Sequence, residues 1–325
     1  MISMERRIKE KIWAPWAIAA VLILVCLIMG LCFGVSLNLL MCRVLIMAMF
    51  ALSLNFQMGY AGMGNLGHSL YFGMGGYGVM LLITKFHVGL GLAVVITLVS
   101  MTVLAFVFGY LTLRSNMLSF MFLTMSLCLV ISMLIQKSKW AGSTVGITFT
   151  IRPSWLVNPN AYYLLVLAIT AMCIGTMYLL TKTTFMKTIE ASRENEERLL
   201  FLGVNVSRLR VMIYTISSFF AIVAGIMFAI FNNGVYTTSL DMSLSIQALM
   251  MCLIGGVSTF SGPIVGAVLL TFINNYLSKY VSFDNAVLGV IIILCVYFIP
   301  NGLTNIKIGQ KKLVDGFKKK WKTGR

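Results

Sequence analysis

Acid is what this chain has least of. Nine aspartates and glutamates and two histidines are spread over 325 residues, against 25 lysines and arginines. That shortage excludes several kinds of chemistry. An ion-coupled carrier places carboxylates in its membrane segments, and a selective channel places a charged ring there; the apolar segments here hold almost none. An intramembrane enzyme needs a nucleophile with its base, or a set of metal ligands. His68 and His87 have no clustered acids beside them. The seven cysteines, at 26, 32, 42, 128, 173, 252 and 295, show no metal-ligand spacing and read as small buried hydrophobes. The chain also lacks a Gly-x-x-x-x-Gly-Lys-Ser/Thr, so it carries no phosphate-binding loop with which to hydrolyse ATP.

What is present is oil. The apolar fraction is 59% and the charged fraction 10%, where soluble domains run roughly 45–50% and about 25%. Runs of about 20 apolar residues, enough to cross a hydrocarbon core of about 30 Å, recur along the chain. Backbone groups in lipid must be satisfied within a helix or a closed barrel. The class is therefore an all-α polytopic membrane protein. Ten transmembrane or partly broken helices are expected, at 13–33, 37–57, 64–84, 88–113, 117–136, 161–181, 211–231, 244–257, 263–280 and 284–300, with 64–84 and 244–257 the weakest. The run from Ala14 to Phe33 follows Arg6, Arg7, Lys9 and Lys11. It is long for a signal h-region and lacks a cleavage pattern, so it reads as an uncleaved first helix.

Charge sets the expected orientation. With both termini cytoplasmic, the inner segments carry 19 lysines and arginines and the outer ones six, Arg43, Lys85, Lys137, Lys139, Arg152 and Lys279. That asymmetry follows the positive-inside rule. The expected layout is a basic cytoplasmic N-terminus at 1–12, one membrane domain at 13–300, and a basic cytoplasmic tail at 301–325. The net charge of +16 needs no nucleic-acid partner; the tail, with Lys307 and Lys318–Lys320, is a solvated anchor beside anionic lipid.

Four of the nine acids fall between 190 and 197, inside the predicted cytoplasmic loop 182–210. The loop runs Lys187, Glu190, Arg193, Glu194, Glu196, Glu197, Arg198, then Leu199 to Leu202, Gly203 and Asn205. Ile189, Arg193, Glu196 and Leu200 recur at helical spacing, which predicts a helix with an apolar edge beside charged faces. Gly203 is placed to end it in the left-handed conformation. A solvated amphipathic loop that only sets topology has the same pattern.

Two glycine-rich stretches interrupt the apolar runs. The first holds Asn55, Gln57, Gly59, Gly62, Gly64, Asn65, Gly67 and His68; the second holds Gly255, Gly256, Ser258, Gly262 and Pro263. Glycine spacing of this density costs an ordinary helix about 1 kcal/mol per residue relative to alanine. It reads as helix breaks lining a cavity, with Gly73 and Gly76 suited to close helix packing. Gly255–Gly256 and Gly262–Pro263 bracket a break and a helix start, since Pro suits a first turn. One stretch in each terminal third is the pattern an internal duplication would leave. His68 reads as a neutral ring hydrogen-bonded within the broken backbone rather than as a proton relay. Asp241 reads as the N-cap of the run from Met242.

Taken together, these residues resemble bacterial branched-chain amino-acid ABC-transporter permeases. Leu54-Asn55, Gly59-Tyr60-Ala61-Gly62, Leu66-Gly67-His68 and Phe72-Gly73-Met74-Gly75-Gly76-Tyr77 are similar to the family's first signature. Arg193-Glu194-Asn195-Glu196 with Leu202-Gly203-Val204-Asn205 resembles its cytoplasmic loop. Ser217, Ala224-Gly225, Gly255-Gly256, Gly262-Pro263 and Gly266-Ala267 follow in order, and Pro300-Asn301-Gly302-Leu303 resembles the ending of the LivM-type subunit.

The resemblance implies a permease subunit of a binding-protein-dependent importer in the bacterial cell membrane. It implies four kinds of partner: a second related permease, two cytoplasmic ATPases that bind the ATP and Mg, an extracellular or periplasmic binding protein, and membrane lipid. The chain itself would hold no cofactor and catalyse nothing. The ATPase contact in the family is a short helix carrying Glu-Ala-Ala with Gly six residues after the Glu. Glu197 stands six before Gly203, but Arg198 and Leu199 replace the alanines. The implied cargo is a branched-chain or other neutral amino acid, with urea and short amides as alternatives carried by relatives. An ion-coupled secondary transporter is the reading outside the family.

Overall fold

The computed structural model describes residues 34–148, 158–257 and 259–280. The predicted spans 13–33 and 284–300, both termini and the Pro300–Leu303 motif lie outside these residues. Ten α-helices occupy the remainder, and the other eight predicted spans all coincide with helices. Five helices are long and apolar enough to cross a membrane. They are α1 (Val35–Asn55, extended by a π-helical turn, Phe56–Tyr60), α3 (Leu90–Thr112), α4 (Met117–Lys137), α5 (Pro159–Thr181) and α8 (Val206–Phe231). Three shorter apolar helices accompany them: α2 (Ser69–Thr84), α9 (Met242–Gly255) and α10 (Gly262–Tyr280). The weakest predicted spans, 64–84 and 244–257, are two of these short ones. Two further helices, α6 (Thr184–Glu194) and α7 (Glu196–Phe201), form the charged loop.

Local chemistry fixes the ends. Pro159 opens α5 behind Asn158, whose side chain accepts from the Asn160 amide at 3.2 Å. Asn205 caps α8 in the same way, accepting from the Arg208 amide at 3.1 Å. Asp241 does occupy the N-cap position of α9, but its side chain makes no capping bond. Arg43, expected in an outer segment, lies within α1 with an exposed side chain.

The core is a crossing of α2 and α8, with α1, α9 and α10 behind it. In lipid, helix association draws on close packing rather than on hydrophobic exclusion of water. The crossing is built for that by a reciprocal pair of glycines. A Cβ at Gly225 of α8 would land on the Phe72 carbonyl, and one at Gly75 of α2 on the Ile222 carbonyl. Each glycine thus faces the carbonyl three residues before the other. At the end of the bundle remote from α6 and α7, a two-residue antiparallel pair, β1 (Ile147–Thr148) with β2 (Gly234–Val235), closes the connections. There the Asn38 amide also ties α1 to α5 by donating to Asn160 Oδ1 at 2.8 Å.

Candidate functional site

The first glycine-rich stretch is where α1 turns back into α2. Its backbone leaves α-helical geometry at Phe56, makes the π-helical turn to Tyr60, and runs irregularly to His68. Such turns occur often at functional positions. Gly62 sits at φ +69°, a conformation that favours glycine. Asn55, Gln57, Asn65 and His68 are fully buried. The Asn65 amide donates to Gln57 Oε1 at 2.8 Å, and its oxygen accepts from the Gly67 amide at 2.9 Å, so one side chain holds both arms of the turn. Gly64 and Gly67 let this segment approach Met121 and the Thr124 backbone of α4. His68 Nε2 bonds the Ser53 hydroxyl at 2.8 Å while the ring stacks on Phe50. Among the described residues no carboxylate bonds it, and its buried Nδ1 has no hydrogen-bond partner.

The second stretch separates α9 from α10. Gly255 ends α9 and Gly256 reverses the chain at φ +115°. Thr259 Oγ1 donates to the Gly256 carbonyl and accepts from the Gly262 amide, both at 3.1 Å, and Pro263 stands in the first turn of α10. Ser258 lies outside the described residues. The two stretches meet. Asn55 Nδ2 donates to the Thr259 carbonyl at 3.2 Å, and a side chain on Gly59 would collide with Asn55 and the Val257 carbonyl.

A second junction lies deeper. The short helices α2 and α9 both begin beside Cys128, the middle of α4. The Ser69 amide donates to Ser245 Oγ at 2.7 Å, and Ser245 Oγ donates to Ser69 Oγ at 2.8 Å. The Cys128 thiol contacts Ser69 Oγ at 3.4 Å and donates to the Leu240 carbonyl at 3.0 Å. Two short helices thus begin inside the bundle against the middle of α4, as broken helices of membrane proteins do, and the first amides of α2 are taken by Ser245, Gly67 and His68. Ser69, Ser245 and Cys128 had no counterpart among the sequence candidates. Ser69 and Ser245 are 176 positions apart, and no local pattern joins them.

The charged loop is two helices, not the one that spacing predicted. Asn195 is extended (φ −156°, ψ 100°) and its side chain accepts from the Arg198 amide at 3.1 Å, ending α6 and capping α7. Glu196 and Glu197 fall in α7's first turn, where the helix dipole favours acids. At the far end Gly203 (φ +77°) donates to the Leu200 carbonyl and Val204 to the Leu199 carbonyl, both at 3.0 Å. This is a Schellman closure with glycine at C′.

The break re-sorts the loop's faces. Met186, Ile189 and Ser192 of α6 and Leu199 of α7 are buried, so the leucine that stands in place of alanine anchors α7. Lys187, Glu190, Glu194, Glu197, Arg198 and Asn205 are exposed. Glu196 pairs with Arg210 of α8 through both oxygens, at 3.1 and 2.7 Å. Beyond it Leu200, Phe201 and Leu202 are 56%, 90% and 77% exposed. This apolar tip was not singled out from sequence, because apolar residues in so oily a chain carry no signal of exposure.

Arg193 is also exposed in part, yet it points inward: its guanidinium Nη1 donates to the Gly59 carbonyl, and its stem lies across Gly62. Gly59, Tyr60, Glu190, Arg193, Glu194 and Val257 line a cavity of about 360 Å³. The loop and both glycine breaks, three separate features of the sequence, thus converge on one place.

The permease component of the branched-chain amino acid transport system is a family that matches residues 36–296. The LivM permease protein of the high-affinity branched-chain amino acid transport system in Salmonella typhimurium is 24% identical over 303 residues, covering 84% of this chain and 71% of that relative. The autoinducer 2 import permease LsrC of Photorhabdus luminescens is 31% identical over 129 residues, 38% of each chain. The galactose/methyl galactoside import permease MglC of Haemophilus influenzae is 31% identical over 161 residues, 47% of this chain and 46% of its own. No solved structure matches significantly. With the match extending over most of its length and five helices able to span a bilayer, this chain belongs to the permease-component family of branched-chain amino acid transport systems and is a multi-pass protein of the bacterial cell membrane.

Proposed function

We propose that the chain is a transmembrane permease subunit of a binding-protein-dependent ABC importer, working with a second related permease, two cytoplasmic ATPases and an external binding protein. Residues 13–300 serve as its membrane domain, with 182–210 as a cytoplasmic insertion that receives the ATPase. The observation that carries this reading is the α7 tip. An exposed Leu200-Phe201-Leu202 on a helix capped at both ends and braced by Glu196–Arg210 is an apolar knob that the described residues leave uncovered. A partner groove would bury it, and fully burying a single leucine or phenylalanine is worth about 1.5–3 kcal/mol. The exposed Glu197 and Arg198 flank the knob. Hydrolysis of ATP with Mg belongs to the partners.

The cargo in this reading is a small neutral or zwitterionic solute, a branched-chain or similar amino acid. The support is the set of fully buried polar side chains at the two junctions, Asn55, Gln57, Asn65, Ser69 and Ser245, all of them uncharged. Similarity to MglC makes a neutral sugar the second reading.

The test is co-purification of the tagged chain from its own membrane, with partners identified by mass. Recovery of two ATPases and a related permease is expected, with the ATPases lost from Phe201→Glu and from the pair Glu197→Lys, Gly203→Pro. A chain recovered alone, or partners unchanged in every variant, would overturn the reading. Uptake of labelled leucine, galactose and urea by the reconstituted complex then distinguishes the cargoes.

A further inference from the structure

Arg193 lies in the charged loop, but its contacts are with the membrane core rather than with the surface that a partner would cover. The C-terminal end of a helix leaves carbonyls without intrahelical donors and carries partial negative charge. At the end of α1 the Ala61 amide bonds the Phe56 carbonyl and the Met63 amide bonds the Gln57 carbonyl. The Gly59 carbonyl is taken by the Arg193 guanidinium. A charged donor to such a carbonyl is stronger than a neutral one. The stem of the same side chain covers Gly62: a Cβ there would stand 3.0 Å from Arg193 Cγ and 3.3 Å from Cδ. Head and stem therefore hold opposite ends of one four-residue turn.

Two acids on the same helix, Glu190 and Glu194, line the same cavity, yet among the described residues Arg193 forms an ion pair with neither. The remaining contacts extend the connection. Gly59 abuts the Val257 carbonyl, so the two breaks pack directly on one another. Asn195 separates α6 from α7, and α7 is braced to α8 through Glu196–Arg210. Beside the buried Met186, Ile189 and Leu199, two polar contacts among the described residues tie the loop to the bundle, α7 to α8 by an ion pair and α6 to the break by Arg193.

We propose that Arg193 is a positioning residue that transmits displacement of the loop to the paired glycine breaks, and is not part of the surface that binds the ATPase. The proposal rests on the loop being the ATPase contact. Its test uses the whole importer, reconstituted in vesicles with its binding protein, and reads complex composition, ATP hydrolysis and uptake separately. Arg193→Ala is expected to retain both ATPases and hydrolyse ATP within about twofold of the parent, while uptake falls about tenfold or more, the scale of one lost charged hydrogen bond. Arg193→Lys, which keeps a cationic donor, is expected to recover part of the uptake.

Loss of the ATPases from Arg193→Ala would make it a docking residue and overturn the proposal, as would unchanged uptake. Loss of the ATPases from Phe201→Glu, with Arg193→Ala uptake normal, would leave the docking reading standing and sink only the strut. If Arg193→Ala does not assemble, a bifunctional thiol reagent joining Tyr60→Cys to Glu194→Cys across the cavity decides the question. Uptake should stop while ATP hydrolysis continues. Uptake that survives the cross-link would show that the loop and the break need not move relative to one another, against the proposal.

Discussion

Helices α3 and α8 are both long, both strongly apolar and both able to cross a membrane, yet 17% of an 18-residue apolar stretch of α3 is buried in the protein against 67% of the corresponding stretch of α8. The difference is in side-chain size and shape. The inward positions of α8 include Ser217, Ser218, Ala221, Ala224 and Gly225, which admit neighbouring backbone, interspersed with larger residues such as Tyr214, Phe220 and Ile222. The outward positions of α3, Val95, Val99, Val103, Phe106 and Leu111, present branched and aromatic surface, which suits lipid tails. Apolarity thus identifies a membrane helix but does not tell its protein-facing side, and small residues do.

Three alanine substitutions grade that contrast. Gly225→Ala places a methyl on the Phe72 carbonyl, backbone that cannot swing aside. It should be the most damaging, costing about 1–3 kcal/mol or more through overpacking, read as a fall in melting temperature and in monodisperse yield. Gly109→Ala on α3 meets the ring of Tyr214 at 2.6 Å, a buried side chain rather than backbone, and should cost less. Gly91→Ala, also on α3, meets nothing within 4 Å and removes a poor helix former, so stability should hold or rise by up to about 1 kcal/mol. Equal losses at 225 and 91 would show that glycine acts in these helices through the backbone alone and that close approach is irrelevant.

The contrast also shows what was legible before the structure. Helix positions followed from apolar length, and the density of glycine at 59, 62, 64 and 67 located a true interruption. The convergence of that interruption with the second break and with Arg193 was not legible, because each contact joins residues more than 100 positions apart, such as Arg193 with Gly59. The division of the charged loop at Asn195 had a local signal that helical periodicity overrode: an asparagine followed at once by two glutamates is an N-cap with acids in the first turn. The exposed tip had none, since Leu200, Phe201 and Leu202 look like any other apolar run in this chain.

The smallest expected effect isolates hydrogen bonding from packing. Ser217 of α8 donates to the Ser53 carbonyl of α1 at 2.6 Å, and Ser100 of α3 donates to Ile96 of its own helix at 2.7 Å. Both bonds are short, both serines sit within apolar helices, and alanine removes one hydroxyl from each. Only the first bond crosses between helices. Bonds of that kind within a bilayer average about 0.6 kcal/mol, so Ser217→Ala should lower thermal stability measurably and Ser100→Ala should not. The Ser53 hydroxyl is itself bonded to His68, so loosening α1 here reaches the first glycine break. Ser217→Ala is therefore expected to change uptake as well, whereas Ser100→Ala leaves both stability and uptake as they were. A matched pair with equal effects would mean that the buried polar contacts of α8 serve the helix alone, and the distinction between the two helices would reduce to the size of their side chains.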